Sequence, residues 1–294
     1  MEGTERGGTG IAPDLAVVIV NYNAGHFLSR AVRSSLDSAG DASLEVVIVD
    51  NASADGSAEE AVAAHPEARL IRNASNVGFA TAVNQGIRAT SAPFVLLLNP
   101  DAEVLSGTLA GLVKVAGDHP RAAAIGPVVR DPDGGIYPSA RKVPTLAEAL
   151  GHAFLGPFKP DNRFSRAYTM AGWDHHSERL VEWVSGSCML LRREALDRVG
   201  LMDEGYFFAV EDVDLCTRLR QAGWDVLFTP ELEVLHQVGI SRGRSKRITL
   251  EHSRSIYRYF VKFRSRGWRA VLRPFVWLAL RARAALVSWR RREH

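Results

Sequence analysis

Cysteine is scarce in this chain, with two among 294 residues. Cys188 sits in an apolar run and Cys216 in a stretch of helical spacing, so both read as free core thiols. That argues against a disulfide-stapled scaffold and fits a reducing cytoplasm. Long apolar runs are also missing. No segment approaches the roughly 20 residues that a spanning helix requires, and the longest runs near the C-terminus are broken by Arg281, Arg283 and Arg290. Residues 1–13 lack the apolar centre of a signal peptide and read as a disordered lead-in. Acid is what the C-terminal region lacks. Ser241–His294 holds 16 Lys and Arg against 2 acids, whereas the preceding 240 residues hold 20 against 31. A basic tail on an acidic body calls for a polyanionic partner, either a nucleic acid or an anionic membrane surface.

The composition that is present, 46% hydrophobic and 23% charged, is globular. Leu15–Val20, Val46–Val49, Arg69–Arg72 and Phe94–Leu98 read as strands. Phe27–Leu36, Ala58–Ala64 and Phe79–Ala89 read as helices between them, the last capped by Asn76. This alternation predicts an α/β protein with a parallel sheet covered on both faces. Ligands of such sheets bind outside the carboxyl ends of the strands. The polar clusters Asn21–Asn23, Asp50–Asp55, Asn73–Gly78 and Asn99–Asp101 fall there.

The second half has a different character. Residues 131–181 read as long loops with short helices, and His175 and His176 as part of a polar loop without a role. Val181–Arg192 reads as a strand interrupted at Ser185-Gly186-Ser187, Asp212–Ala222 as a helix, and Trp224–Phe228 and Glu231–Leu235 as strands. From Thr249 the pattern is helical and basic. Trp268, Val271, Leu272, Phe275, Leu278, Leu286 and Trp289 fall on one side, with Arg269, Arg273, Arg281 and Arg283 mostly opposite. That is the pattern of a helix lying in a membrane interface. No base-reading motif accompanies the basic residues, so the partner expected is a membrane and not a nucleic acid.

Carboxylates gathered at strand ends and helix starts repel one another and lose hydration, which points to a held metal or a moved proton. Asp50 can accept the N3–H of a uracil or thymine ring, and Tyr22 can stack on its face. Gly78 permits close backbone approach to a ribose or diphosphate, and the helix N-terminus after it favours anions. Asp101 suits Mg²⁺ or Mn²⁺, hard ions that bridge diphosphate oxygens. Asp212 suits a general base, its pKa raised by Glu211 and Asp214 and lowered by the helix N-terminus. His236, after a strand, is a further candidate ligand for the metal or diphosphate.

Five motifs then carry a resemblance. Val-Ile-Val-Asn-Tyr-Asn (18–23), Val-Asp-Asn-Ala-Ser-Ala-Asp-Gly-Ser (49–57), Asn-Val-Gly-Phe-Ala (76–80), Leu-Asn-Pro-Asp (98–101) and Glu-Asp-Val-Asp-Leu (211–215) resemble, in this order, the motif series of glycosyltransferase family 2. The resemblance implies the GT-A fold, a Rossmann-like and mostly parallel sheet flanked by helices, here with a C-terminal basic amphipathic helical extension. It also implies inverting transfer from a nucleotide-diphosphate sugar with a divalent cation. Asn99-Pro100-Asp101 resembles the family's Asp-x-Asp motif with Asn in first place, so Asp101 alone carries over as a metal ligand. Asp212 matches the catalytic base. Tyr22, Asn23, Asp50, Asn76, Gly78 and Asn99 are expected at the nucleotide sugar, and Gly186, Glu211 and Asp214 at the acceptor or sugar. The division expected is 14–240 for the transferase domain, with halves 14–130 and 131–240, and 241–294 for membrane-associating helices.

Val184–Leu190, Phe207–Leu215, His236-Gln237-Val238-Gly239 and the basic tail are similar to bacterial rhamnosyltransferases of cell-wall and O-antigen assembly. That implies dTDP-L-rhamnose as donor, a polyprenyl-diphosphate-linked saccharide as acceptor, and a peripheral place on the inner face of the plasma membrane. Two other readings stay open on the sequence: a non-catalytic nucleotide-sugar-binding membrane scaffold, and a transferase of the same family using a UDP-sugar.

Overall fold

The computed structural model describes residues 13–156, 159, 161–237 and 246–290. Residues 1–12 of the expected lead-in 1–13 and the motif residues Val238 and Gly239 lie outside them. The first half runs β1 (Leu15–Asn21), α1 (Phe27–Asp37), β2 (Leu44–Asp50), α2 (Ser57–Ala64), β3 (Arg69–Arg72), α3 (Phe79–Arg88) and β4 (Phe94–Leu98). After it come β5 (Ala102–Val104), α4 (Thr108–Asp118), β6 (Ala122–Arg130), β7 (Ile136–Tyr137) and β8 (Ala140–Arg141). The third stretch holds α5 (Leu146–Leu155), α6 (Arg163–Tyr168), β9 (Arg179–Leu180), β10 (Trp183–Val184), β11 (Cys188–Arg192) and α7 (Arg193–Val199). The chain continues through α8 (Glu211–Gln221), β12 (Asp225–His236), α9 (Lys246–Tyr259) and α10 (Arg273–Arg290).

The main sheet has the order β3-β2-β1-β4-β11-β6-β12-β5. β1 is buried along its whole length because both of its faces are covered. Val18, Val20, Val47, Val49, Val95 and Leu97 meet α3 and α8 on one face. Ile19, Val17, Ile48, Leu96 and Leu98 meet α1 and α4 on the other. Near-continuous β-branched runs buried on two sides are the sequence form of a parallel strand. Each such side chain contributes about 2 kcal/mol on leaving water, so the apolar strands fix the frame whatever polar groups stand at their ends.

β1 pairs in parallel with β2 and β4, and β11 is inserted antiparallel between β4 and β6. The reversal matters for the site. It brings the start of β11, next to Gly186 and Ser187, to the edge where β4 ends at Leu98, since Cys188 lies opposite Leu98. β12 runs parallel to β6 with a register shift between Thr229 and Glu233. Pro230 lies within that bulge and has no N–H to give to a ladder. β12 then reaches His236 opposite Ala102.

Three local expectations are corrected. His175 does lie in a loop, but it is buried among aromatic rings, 4.2 Å from Trp173 and 5.6 Å from Phe228. β5, α4 and β6 occupy residues that the strand-helix reading left without elements. In the tail, Val276, Leu280 and Phe260 form a small core against which Leu272 packs, so Leu272 faces inward. Trp268, Val271, Phe275, Trp277 and Leu278 are exposed. The side chains of Leu286 and Trp289 lie outside the described set. Among the described residues no helix is long and apolar enough to cross a membrane.

Candidate active site

Asn21 and Asp50 end adjacent strands in register, so their side chains meet. Asn21 Nδ2 donates to Asp50 Oδ1 at 2.8 Å and to Ser57 Oγ at 2.8 Å, while Ser53 N donates to Asp50 Oδ2 at 3.2 Å. Asn23, in the left-handed region at φ 53°, accepts from Ala54 N at 2.8 Å. Tyr22 between them is 52% exposed. Asn51, Asn73 and Gln85 continue the network toward α3. These bonds hold the loops after β1 and β2 together, with Asp50 buried and the Tyr22 ring exposed.

At the end of β4, Asp101 is buried, with Oδ1 3.1 Å from His236 Nε2. Asn99 Nδ2 lies 3.1 Å from the same ring nitrogen. The backbone N–H of Asn99 donates to Ser187 O at 2.9 Å, and the neighbouring Gly186 N–H donates to Asp212 Oδ2 at 3.1 Å. This chain of contacts links the Asp101 and Asp212 corners at one edge of the sheet, although 111 positions separate them.

Asp212 stands in the first turn of α8, where a strained backbone delivers it. Ala209 at φ 62° and Val210 at φ 73° are consecutive non-glycine residues in the left-handed region. That conformation is costly, most of all for a β-branched residue, and it persists because the surroundings fix it. Phe79 N–H donates to Phe207 O at 2.9 Å and Ser255 Oγ donates to Phe208 O at 2.8 Å.

Burial pushes the Glu211 carboxyl well above the ordinary range, and the charges of Asp212 and Asp214 add to the effect. Burial also raises Asp212, against the N–H groups of Gly186 and Val213 and the positive charge of Arg141. A carboxylate lifted toward neutrality is a stronger base than a solvated one. Burial likewise raises the Cys188 thiol, and pushes Cys216 up to about 12, so neither supplies a nucleophile.

The profile described as "Glycosyltransferase like family 2" matches residues 13–257. The chain belongs to glycosyltransferase family 2. It is 41% identical over 271 residues to the N-acetylglucosaminyl-diphospho-decaprenol L-rhamnosyltransferase of Mycobacterium tuberculosis, covering 88% of each chain. It is 28% identical over 184 residues to the rhamnosyltransferase WbbL of Escherichia coli, covering 62% of this chain and 67% of that one. Among solved structures, a mannosyltransferase of Pyrobaculum calidifontis in complex with GDP-Man and Mn²⁺ superposes with a TM-score of 0.58 at 18% identity. The superposition covers 95% of this chain and 76% of that one. The likeness confirms the GT-A fold expected from the motif order.

A divalent cation fits this family 2 cleft at Asp101 and His236. The ring nitrogen Nε2 faces a carboxylate oxygen and an amide N–H at once. With Nε2 unprotonated the ring offers a lone pair toward the Asp101 carboxylate, a nitrogen and oxygen donor pair of the kind that holds a divalent ion. A cation there would be held by both. Among the described residues no group of three or more His, Cys, Asp or Glu side chains is placed to hold a metal. The ion would therefore take its remaining ligands from water and diphosphate oxygens.

Three expected site residues have other work in this structure. Asn76 does not cap α3: its Oδ1 accepts from Gly78 N at 3.0 Å and shapes the turn before the helix, whose N-cap is Gly78. The space above Gly78 is filled by the protein itself. At φ 91° its added Cβ would stand 2.9 Å from Phe207 O, so the glycine admits the loop that leads into α8. Asp214 is 0% exposed and receives Tyr206 OH, Arg218 Nε and Lys262 Nζ at 3.0, 2.7 and 2.7 Å. It is an internal anchor of α8, not a group presented to an acceptor. Gly186 lies against Asp212, and a Cβ there would make an ordinary contact 3.9 Å from Oδ2. Arg141 and Lys262 carried no signal, Ser187 only that of a break in a strand, and Asn21 that of a polar cluster ending an apolar strand.

Proposed function

We propose that this family 2 glycosyltransferase moves L-rhamnose from dTDP-L-rhamnose to a hydroxyl of a diphosphate-linked lipid saccharide, with inversion. The observation that carries the reaction type is the contact chain Asn99–Ser187 and Gly186–Asp212, which sets a metal-suited pair beside a raised carboxylate. The substrate class is supported by the rhamnosyltransferase that shares 41% of its sequence over 88% of its length. Asp50 and Tyr22 hold the nucleotide base, with Asn23 and Asn99 nearby. The acceptor oxygen attacks the anomeric carbon as the bond to the diphosphate breaks, and its proton passes to Asp212. Mn²⁺ or Mg²⁺, held by Asp101 and His236, would supply charge to the departing diphosphate. Gly186 and Glu211 border the space where the acceptor oxygen approaches Asp212.

The exposed rings of Trp268 (74%) and Phe275 (67%), among Arg264, Arg266, Arg269 and Arg273, suit the headgroup region of an anionic membrane that would hold such an acceptor. The reading is tested with the full chain, dTDP-L-rhamnose and an N-acetylglucosaminyl-diphospho-prenol. Transfer that needs Mn²⁺ or Mg²⁺, stops with EDTA and gives an inverted product supports it. Transfer from UDP-sugars alone, or a retained anomer, overturns it. Flotation with anionic vesicles, lost on Trp268→Ser with Phe275→Ser, tests the membrane contact.

A further inference from the structure

Arg141 ends β8 next to the base corner and belongs to no motif. Its guanidinium carbon lies 5.5, 5.1 and 5.1 Å from the ring centroids of Tyr137, Tyr168 and Trp183. Nη1 donates to Tyr168 OH at 3.0 Å, Nη2 to Tyr137 OH at 3.2 Å, and Nε to Pro138 O. All three acceptors are neutral. Among the described residues no carboxylate forms an ion pair with Arg141 within 4 Å. A guanidinium has five N–H donors in a fixed plane, and three are engaged here. A half-buried cation with no carboxylate in direct contact is costly unless an anion completes it.

The place of the cage matters as much as its charge. Tyr137 also meets the His236 ring edge-on at 6.1 Å, and the field of Arg141 reaches Asp212. β8 pairs with β10, and Ser185 N–H donates to Ser139 O at 2.8 Å, next to the Gly186 that holds Asp212. The cation therefore adjoins both the metal-suited corner and the base corner. Its neutral partners orient the fork without quenching its charge, and a planar fork matches phosphate oxygens in pairs.

We propose that Arg141 is the anion anchor of this cleft and binds a diphosphate through the N–H groups that its aromatic cage leaves free. The choice of a diphosphate rests on the transferase reading above. Two sources carry that chemistry, the nucleoside diphosphate of the donor and the lipid diphosphate of the acceptor.

The test is calorimetric titration of the full chain with inorganic pyrophosphate in EDTA, which takes metal and sugar out of the measurement. The wild type is expected to bind, Arg141→Gln about tenfold or more weakly, and Arg141→Lys in between, because a point charge keeps attraction and loses the paired fork. Absence of binding by the wild type, or equal binding by a folded Arg141→Gln, overturns the proposal. Should Arg141→Gln fail to fold, equal binding by Arg141→Lys overturns it instead. Parallel titrations with dTDP plus Mn²⁺ and with farnesyl diphosphate name the source by which affinity falls in the variant. If neither falls, the anchor is refuted. A wild type that binds pyrophosphate through Arg141 but transfers no rhamnose would refute the proposed reaction and leave the anion site standing.

Discussion

The two ends of the cleft are held in different ways. The end at Asn21 and Asp50, proposed for the nucleotide, is self-supporting. Asn21, Asp50, Ser53 and Ser57 lie within 37 positions of one another and bond directly across adjacent parallel strands. The base end depends on chain that arrives later. Arg258 and Lys262 pair with Asp203, Lys262 pairs with Asp214, and Tyr259 OH shares a 2.8 Å bond with Thr217 Oγ. These contacts come from α9 and the π-helical turn that follows it, Phe260–Arg264. Such turns interrupt regular helices at points of functional demand. A strained Ala209–Val210 backbone needs an outside brace, and the basic tail provides it. The tail thus packs on the loop and helix that carry Asp212, and is a candidate membrane contact as well.

The strongest break of this comparison comes at the base itself. Asp212→Asn keeps the size of the side chain and removes its proton acceptor, so kcat should fall by about 10²–10⁴-fold with donor affinity retained. A variant with wild-type turnover and intact donor binding would remove Asp212 from the mechanism. At the other corner, His236→Ala should weaken Mn²⁺ binding, measured in the presence of dTDP, by at least about tenfold. Unchanged Mn²⁺ affinity would mean that the ring is only a structural neighbour of Asp101.

The brace itself can be cut. Lys262 is 33% exposed and reaches a carboxylate that is fully buried. Lys262→Met leaves Asp214 with Tyr206 and Arg218, so denaturant unfolding should show a loss of about 1–3 kcal/mol. Because the contact braces the base loop, kcat should fall while the KM for donor stays near wild type. An equal fall in donor affinity would show that the two ends are not separately supported.

The nucleotide end was legible because its strands are short-range and buried on both faces, so Val and Ile runs mark them and polar residues mark their ends. Asp50 and Asn21 meet because parallel pairing leaves them in register. The base end was half legible. Glu211 and Asp212 announced themselves as acids at a helix start, but Asp214 looked the same and proved to be an anchor. Its partner Lys262 is 48 positions away, and nothing local distinguishes a lysine bound to a buried acid from one in water. Gly78 and Arg141 were illegible for the same reason: what they accommodate, Phe207 and an aromatic cage, is brought by tertiary packing. β6 escaped because Gly126 and Pro127 break its apolar run.

The smallest expected effect is also the sharpest test of what sets the base. Burial is the largest influence raising Asp212, and burial also holds Glu211 well above 4.5. Glu211 should then still carry its proton when Asp212 ionises, and Glu211→Gln, which is neutral at every pH, should leave the acid limb of kcat where it is. That limb should lie above 3.8 in both proteins, with activity rising as pH rises, because the ionised form is the base. A limb that moved down toward 3.8 in the variant would show that repulsion by Glu211, and not burial, tunes Asp212. Stability should separate the two proteins with a definite sign. A carboxyl whose folded pKa is raised binds more protons folded than unfolded, so the wild type loses stability as pH rises from about 4.5 toward the folded value. The glutamine cannot ionise, so its stability relative to wild type should increase across that interval, measured by denaturant unfolding at a series of pH values.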